Sequence, residues 1–385
     1  MARRLFLVLL VILLVVPTLS LASVHACSLC AGSLQTQTLR QDAGQAKMVL
    51  FGALTESTPI ADDPRGGTTK LKIDKAIKPD PFLKDRNVLT LPRYVPVPDP
   101  KKPPQYLVFC DIFNGRVDPY RGMPVKSDAM IKYLEGALAL KTDNAEKLLP
   151  YYFDFLEHKD AEIANDAFLE FAKANDADIG KVAGKFAPEK LRSWLTDPNT
   201  PTHRLSLYGF LLGACGSDRD ALMLKQLLEK SDDRSLAAID GILGGYIQLR
   251  PREGWDHLCD RLKDTKKPFN ERFAVLRTVR FYHGWKPDDA KDQILRALGI
   301  VVEQGDIADL AVEDLRKWQM WDLTDKVLAQ YGKKGFDAPI VKRGIVRYAL
   351  SCPKPEAKRF VSRLKGEDPE LVRTVEESLE FEKKR

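Results

Sequence analysis

The sequence predicts an α+β multidomain chain: a short export signal, a small β-barrel, and an all-α solenoid of helical repeats. Three observations predict it. A basic and then apolar N-terminal stretch opens the chain. About a hundred residues follow that show the twofold alternation of strands. From Pro124 onward apolar residues recur at helical spacing, and helix starts themselves recur at 30 to 37 residues. With 44% hydrophobic and 30% charged residues in 385, the chain can build cores and is not a disordered polymer.

The first element is the signal. Arg3 and Arg4 precede Leu5 to Val16, an unbroken apolar run that Pro17 ends. Twelve residues at helical rise cover roughly 18 Å, short of a membrane core of about 30 Å. Small-residue cleavage patterns fit at Ser20-Leu21-Ala22 and at Val24-His25-Ala26. Residues 1–26 are therefore expected to leave as a signal peptide, and the mature chain to be periplasmic, in the cell envelope, or extracellular. Cleavage after Ala26 would expose Cys27 as the first residue, where a lipid could also attach. Membrane contact is expected only in that case. Loss of Arg3 and Arg4 leaves 58 basic against 54 acidic residues, a net charge of +4. That is too small to argue for nucleic acid as a partner.

Residues 27–123 carry the strand signals. Met48 to Leu54 is a short apolar run, and Asp62-Asp63-Pro64-Arg65-Gly66-Gly67 reads as a turn. Thr69 to Ile73 alternates, with Lys70, Lys72 and Asp74 on one face and Leu71 and Ile73 on the other. Val88–Leu91 and Tyr106–Phe109 read as two more strands. Between them residues 92–104 hold too many prolines to feed a central ladder, so a stiff extended loop is expected. Short strands with no helix between them predict a small barrel or sandwich.

Residues 124–385 are helical. Starts are expected near 204, 234, 269, 306, 338 and 368, with two helical segments in each interval. Ile307, Ala311, Leu315 and Trp318 lie on one helix face, and Leu323, Val327, Leu328 and Tyr331 on the face of its partner. Asp337-Ala338-Pro339 and Asp368-Pro369-Glu370 read as capping aspartates before an early proline, and Ser217-x-x-Asp220 as a capping box. Gly284, Gly305 and Gly332 read as stops. Paired helices at this period need neighbours to cover their apolar faces, which is the logic of a solenoid.

On period and hydrophobic pattern, residues 125–383 resemble HEAT-type helical repeats, which implies interaction rather than catalysis. The first half resembles the five-stranded OB-like barrel of tissue inhibitors of metalloproteinases and netrin modules. The resemblance is carried by a signal peptide followed directly by Cys27-Ser28 and by the strands at 49–54, 70–77 and 106–109. It implies that the amine and carbonyl of Cys27, with Ser28 beside it, would chelate a protease zinc. The sequence departs from that family in its Cys27-x-x-Cys30 spacing and in lacking most of the later cysteines.

Six cysteines split three and three. Cys215, Cys259 and Cys352 fall on apolar helix faces and read as small buried hydrophobes. Cys27, Cys30 and Cys110 could form one disulfide in an exported protein, with the partner of Cys110 left open between the other two. Cys27 and Cys30 could instead act as a thiol–disulfide pair. No cofactor or metal site is expected: the histidines at 25, 158, 203, 257 and 283 are scattered, and no second cysteine pair stands at zinc spacing. No catalytic motif is found, and no catalytic residue is assigned. Gly241 to Gly245 holds three glycines in a helical pattern, which reads as close helix packing. The acidic pairs at 62–63, 232–233 and 288–289 read as capping groups, and Lys70, Lys72, Lys75 and Lys78 as a solvated strand face. All five tryptophans (194, 255, 285, 318, 321) belong to the helical half, with Trp255 and Trp285 after glycines at helix corners. The function expected is that of an exported, non-enzymatic scaffold holding a protein or envelope polymer on its helical surface. A metalloprotease inhibitor using Cys27 and an oxidoreductase using Cys27 and Cys30 are the alternatives.

Overall fold

The computed structural model describes residues 37–61, 63–230 and 232–384. The expected signal peptide, Cys27, Ser28 and Cys30 lie outside the described residues. A helix that the periodicity does not announce comes first, α1 (Leu39–Gln45). Its N-terminus is a capping box, in which Thr38 Oγ1 accepts from the Gln41 amide at 3.2 Å and Gln41 Oε1 accepts from the Thr38 amide at 3.3 Å.

Five antiparallel strands follow: β1 (Met48–Ile60), β2 (Asp63–Lys78), β3 (Val88–Leu91), β4 (Gln105–Phe113) and β5 (Arg116–Val125). Their order across the sheet is β3-β2-β1-β4-β5. The expected barrel is not closed. Its edges, β3 and β5, do not pair, and β3 is only four residues long, bonded to Thr69–Lys72 of β2. Strand alternation sends Met48, Leu50, Leu54, Val108 and Cys110 to one face, where Leu71, Leu89, Leu91 and Leu83 complete a small core. The proline-rich stretch covers that core with Val95 and Val97. Thr69 anchors it: its hydroxyl donates to Arg93 O at 2.9 Å and accepts from the Val95 amide at 2.8 Å. The opposite face, with Val49, Leu107 and Phe109, joins the core of the helical half. An open sheet satisfies both faces in this way without a barrel seam. Strand β2 already begins at Asp63, inside the expected turn. Strand β5 carries Pro119 and Pro124, which a sheet tolerates at an edge.

Seventeen α-helices follow the sheet among the described residues. The first five, before the first expected start, are α2 (Asp128–Ala139), α3 (Ala145–Phe153), α4 (Ala161–Lys173), α5 (Asp176–Ala183) and α6 (Pro188–Thr196). Next come α7 (Leu205–Cys215), α8 (Asp218–Glu229), α9 (Asp233–Ala237), α10 (Ile239–Leu249), α11 (Pro251–Lys263), α12 (Phe269–Trp285) and α13 (Lys291–Val301). The last are α14 (Ala308–Lys317), α15 (Thr324–Leu328), α16 (Pro339–Ser351), α17 (Pro355–Glu367) and α18 (Pro369–Lys383). Helices α7, α9, α12, α14, α16 and α18 begin within two residues of the six expected starts. The second interval holds three helices, α9 to α11, rather than two.

Several bonds between helices recur at 34 or 38 residues. Gln248 donates to Phe210 O, Thr278 to Asp240 O and Tyr282 to Gly244 O, each across 38 residues. Arg272 pairs with Asp306, and Arg280 with Asp314, each across 34. The closest packing is α7 on α10. A Cβ on Gly241 would overlap the backbone of Ser206, and one on Gly213 the backbone of Gly245, so these helices touch through their main chains. Asp240, wholly buried, accepts from Ser206 Oγ, from the Gly241 amide at 2.8 Å and from Arg277 at 2.7 Å. Burial raises its carboxyl pKa, and the Arg277 guanidinium opposes that rise.

Helix α1 joins the two halves. Its Leu39 amide donates to Asp166 Oδ1 of α4 at 2.7 Å, and Tyr133 of α2 donates to Asp166 Oδ2 at 2.7 Å. Arg40 forks onto Glu170, both bonds at 3.2 Å, and Asp42 pairs with Arg121 of β5. Lys78 Nζ, from β2, donates to Ala43 O at 2.8 Å and to Gly44 O at 3.1 Å, capping the C-terminal end of α1.

Candidate functional site

Of the residues singled out from the sequence, Cys110 is buried in β4 and has no disulfide partner among the described residues. As a thiol it is pushed up to about 12 by burial, reinforced by Asp118. Its two expected disulfide partners lie outside the described residues. Cys259 and Cys352 are buried and Cys215 is half-buried, all with free thiols. Cys215, at the end of α7, donates its S–H to Leu211 O at 3.2 Å.

The charged residues divide. Asp232 accepts from the Ser235 amide at 2.7 Å and Asp368 from the Leu371 amide at 3.0 Å, as capping groups do. Asp220 accepts from the Ser217 amide at 2.8 Å, as the capping-box pattern expects. Asp337 caps nothing: α16 starts at Pro339 after Ala338, with no side-chain cap. The basic strand residues are not a uniformly solvated face. Lys70 pairs with Glu56 at 2.7 Å and Lys75 with Glu135 at 2.6 Å, while half-buried Lys78 caps α1 as described. Strand pairing and the docked helix put acceptors where a plain strand pattern shows only solvent.

Around Trp285 the helical half opens into a cleft of about 520 Å³, within the usual range for a small-ligand site. Trp285 is the last residue of α12, and α5 meets it at Gly180, where any Cβ would overlap the indole. The ring stands edge-on to Phe210 at 5.1 Å and tilted to Tyr282 at 5.6 Å, and Tyr282 meets Trp255 of α11 at 5.1 Å. Tyr282 Oη donates to Gly244 O at 2.8 Å, and burial holds its phenol well above the ordinary value. Trp255 and Tyr282 are buried in the cluster and line the cleft with it, while half-buried Trp285 presents its ring from the end of α12.

The polar part of the cleft is small. Lys181 is engaged by Asp178 at 2.9 Å and Glu146 at 3.5 Å. Gln248 donates its amide nitrogen to Phe210 O at 3.0 Å, which leaves its carbonyl oxygen as an acceptor. The Lys286 ammonium lies 4.5 Å from the centre of the Trp285 ring. Asp289 stands exposed on the same wall, and neither it nor Lys286 has an ion-pair partner among the described residues. The lining comes from the C-terminal turns of α5, α7, α10 and α12 together with the N-terminal ends of α11 (Pro251, Trp255) and α13 (Asp289, Ala290).

A second cleft, of about 420 Å³, lies between α14, α16 and α18. Arg316 and Arg347 meet Glu382 at 2.8 and 2.6 Å there, and Glu313 completes the network. Among the described residues, no group of three or more His, Cys, Asp or Glu side chains is placed to hold a metal ion. No described helix is long and apolar enough to cross a membrane. Residues up to 110 positions apart build the Trp285 cleft, and the one sequence signal for it was the pairing of Trp255 and Trp285 with preceding glycines. Neither a scan of protein-family models nor searches of curated proteins and solved structures found a match for the chain.

Proposed function

We propose that the chain is an exported, non-enzymatic binding protein. In this reading residues 1–26 direct export, and the mature protein works in the periplasm, the envelope or outside the cell. Helices α7 to α18 act as a HEAT-like solenoid whose surface holds a protein or an envelope polymer. The observation that carries the reading is the recurrence of helix-to-helix bonds at 34 and 38 residues. Serial stacking of this kind leaves an extended surface for a partner. The Trp285 cleft supplies a concave, aromatic contact on it.

The test is hydrogen exchange on the purified mature protein, alone and with isolated envelope material. Slowed exchange in helices α7 to α18 is expected. Protection confined to the sheet, or none, would overturn the reading. Intact mass of the secreted protein checks export separately, with a start at Ser23 or Cys27 expected.

A further inference from the structure

We propose that the Trp285 cleft takes an organic cation of the alkylammonium class, seated on the indole face that Lys286 now covers. Two independent features favour a positive guest. The Trp285 ring offers a π face, the preferred aromatic partner of an ammonium group. Asp289 adds a carboxylate with no partner of its own among the described residues.

The third feature is the chain's own behaviour. Lys286 has an unpaired carboxylate three residues away, yet its ammonium rests over the indole, 4.5 Å from the ring centre. A lysine on a flexible stem thus already marks the place of a cation. Lys181, the other base nearby, is neutralised by Asp178 and Glu146 and does not repel a guest. Gln248 contributes a free carbonyl oxygen, which suits the hydroxyl or amide that adjoins such a head group. Binding exchanges one cation for another, so Lys286 is a displaceable plug.

The inference rests on the proposed binding role, and its test is separate from that of the role. Choline and its neutral carbon isostere 3,3-dimethylbutan-1-ol are titrated into the full mature chain, followed by tryptophan fluorescence and calorimetry. Choline is expected to bind about tenfold or more tightly than the alcohol. Trp285→Leu should abolish the difference. Lys286→Ala should tighten choline by about two- to fivefold, because the internal competitor is gone. That gain cannot come from a misfolded variant. Equal binding of choline and the alcohol, no binding of choline, or weaker binding to Lys286→Ala would each overturn the proposal. A peptide carrying trimethyl-lysine identifies the source: tighter binding than choline assigns the cation to a protein, and equal binding assigns it to a free head group. If choline fails while envelope material still protects α7 to α18, the cation proposal falls and the binding role stands.

Discussion

The middle of the helical half and its C-terminal end bring helices together by different means. Helices α7 and α10 touch main chain to main chain at Gly209, Gly213, Gly241 and Gly245, and a fully buried Asp240 ties them to Arg277 of α12. Helices α14, α16 and α18 stand further apart, with Arg316, Arg347 and Glu382 bridging them near solvent. The nearest atom to a Cβ on Gly344 of α16 is 4.0 Å away, and around Gly366 of α17 there is none within 4 Å. One region is held by shape and a desolvated charge, the other by wet ion pairs. Changes of the same kind should therefore cost very different amounts in the two places.

The sharpest contrast is in the charges. Asp240→Ala strands Arg277 and Ser206 and should destabilise the protein by about 3–5 kcal/mol. Glu382→Ala, which opens an exposed network, should cost no more than about 1 kcal/mol. Urea denaturation of both variants checks this, and equal losses would erase the distinction. The glycines come next. Gly241→Ala forces a methyl into the Ser206 backbone and should cost about 1–3 kcal/mol by the same measurement.

A pH dependence separates the α1 joint from the C-terminal region in a third way. Burial pushes the Asp166 carboxyl up to about 6, against an ordinary 3.8, with Tyr133 and the Leu39 amide opposing the shift. The folded chain therefore holds this proton more tightly than the unfolded one. The stability it contributes is fully present below 3.8 and is lost as pH rises through about 6. Glu382 has its carboxyl lowered by Arg316 and Arg347, so its contribution runs the other way, present above its ordinary value and lost on acidification. Asp166→Asn should flatten the decline between pH 4 and about 6.5, an effect of about 1–3 kcal/mol in denaturation midpoints taken across that range. A variant profile parallel to wild type would refute it. The smallest effect is a gain: Gly366→Ala, with open space around it, should stabilise α17 by about 0.5–1 kcal/mol, seen as a raised Tm.

The helical array was legible because its signals are local. Apolar residues at helical spacing, Asp368 before Pro369 and the Ser217–Asp220 box all act within one or two turns, and starts read from them lie within two residues of the observed ones. The sheet was half legible. Alternation at Thr69 to Ile73 showed in the sequence, but Pro119 and Pro124 masked an edge strand, and nothing local says whether β3 and β5 meet. Helix α1 has one turn of apolar residues and takes its stability from Asp166, more than 120 positions away. The cleft was least legible. Its tryptophan was visible in the sequence, but the glycine that admits the indole lies on another helix, and the helix ends that surround it converge only in three dimensions. Lys78 shows the same limit, since a strand lysine becomes a cap only once a helix is docked above it.

The seating of α1 has a mechanical consequence. Tension arriving at Thr38 and Leu39 meets the bond from the Leu39 amide to Asp166 of α4. Three residues after Leu39, Asp42 hands the load to β5 through Arg121, and Lys78 grips the far end of the same helix from β2. A pull on α1 is thus divided at once between the sheet and the helices. A tether attached there would strain both together and would not peel one away from the other.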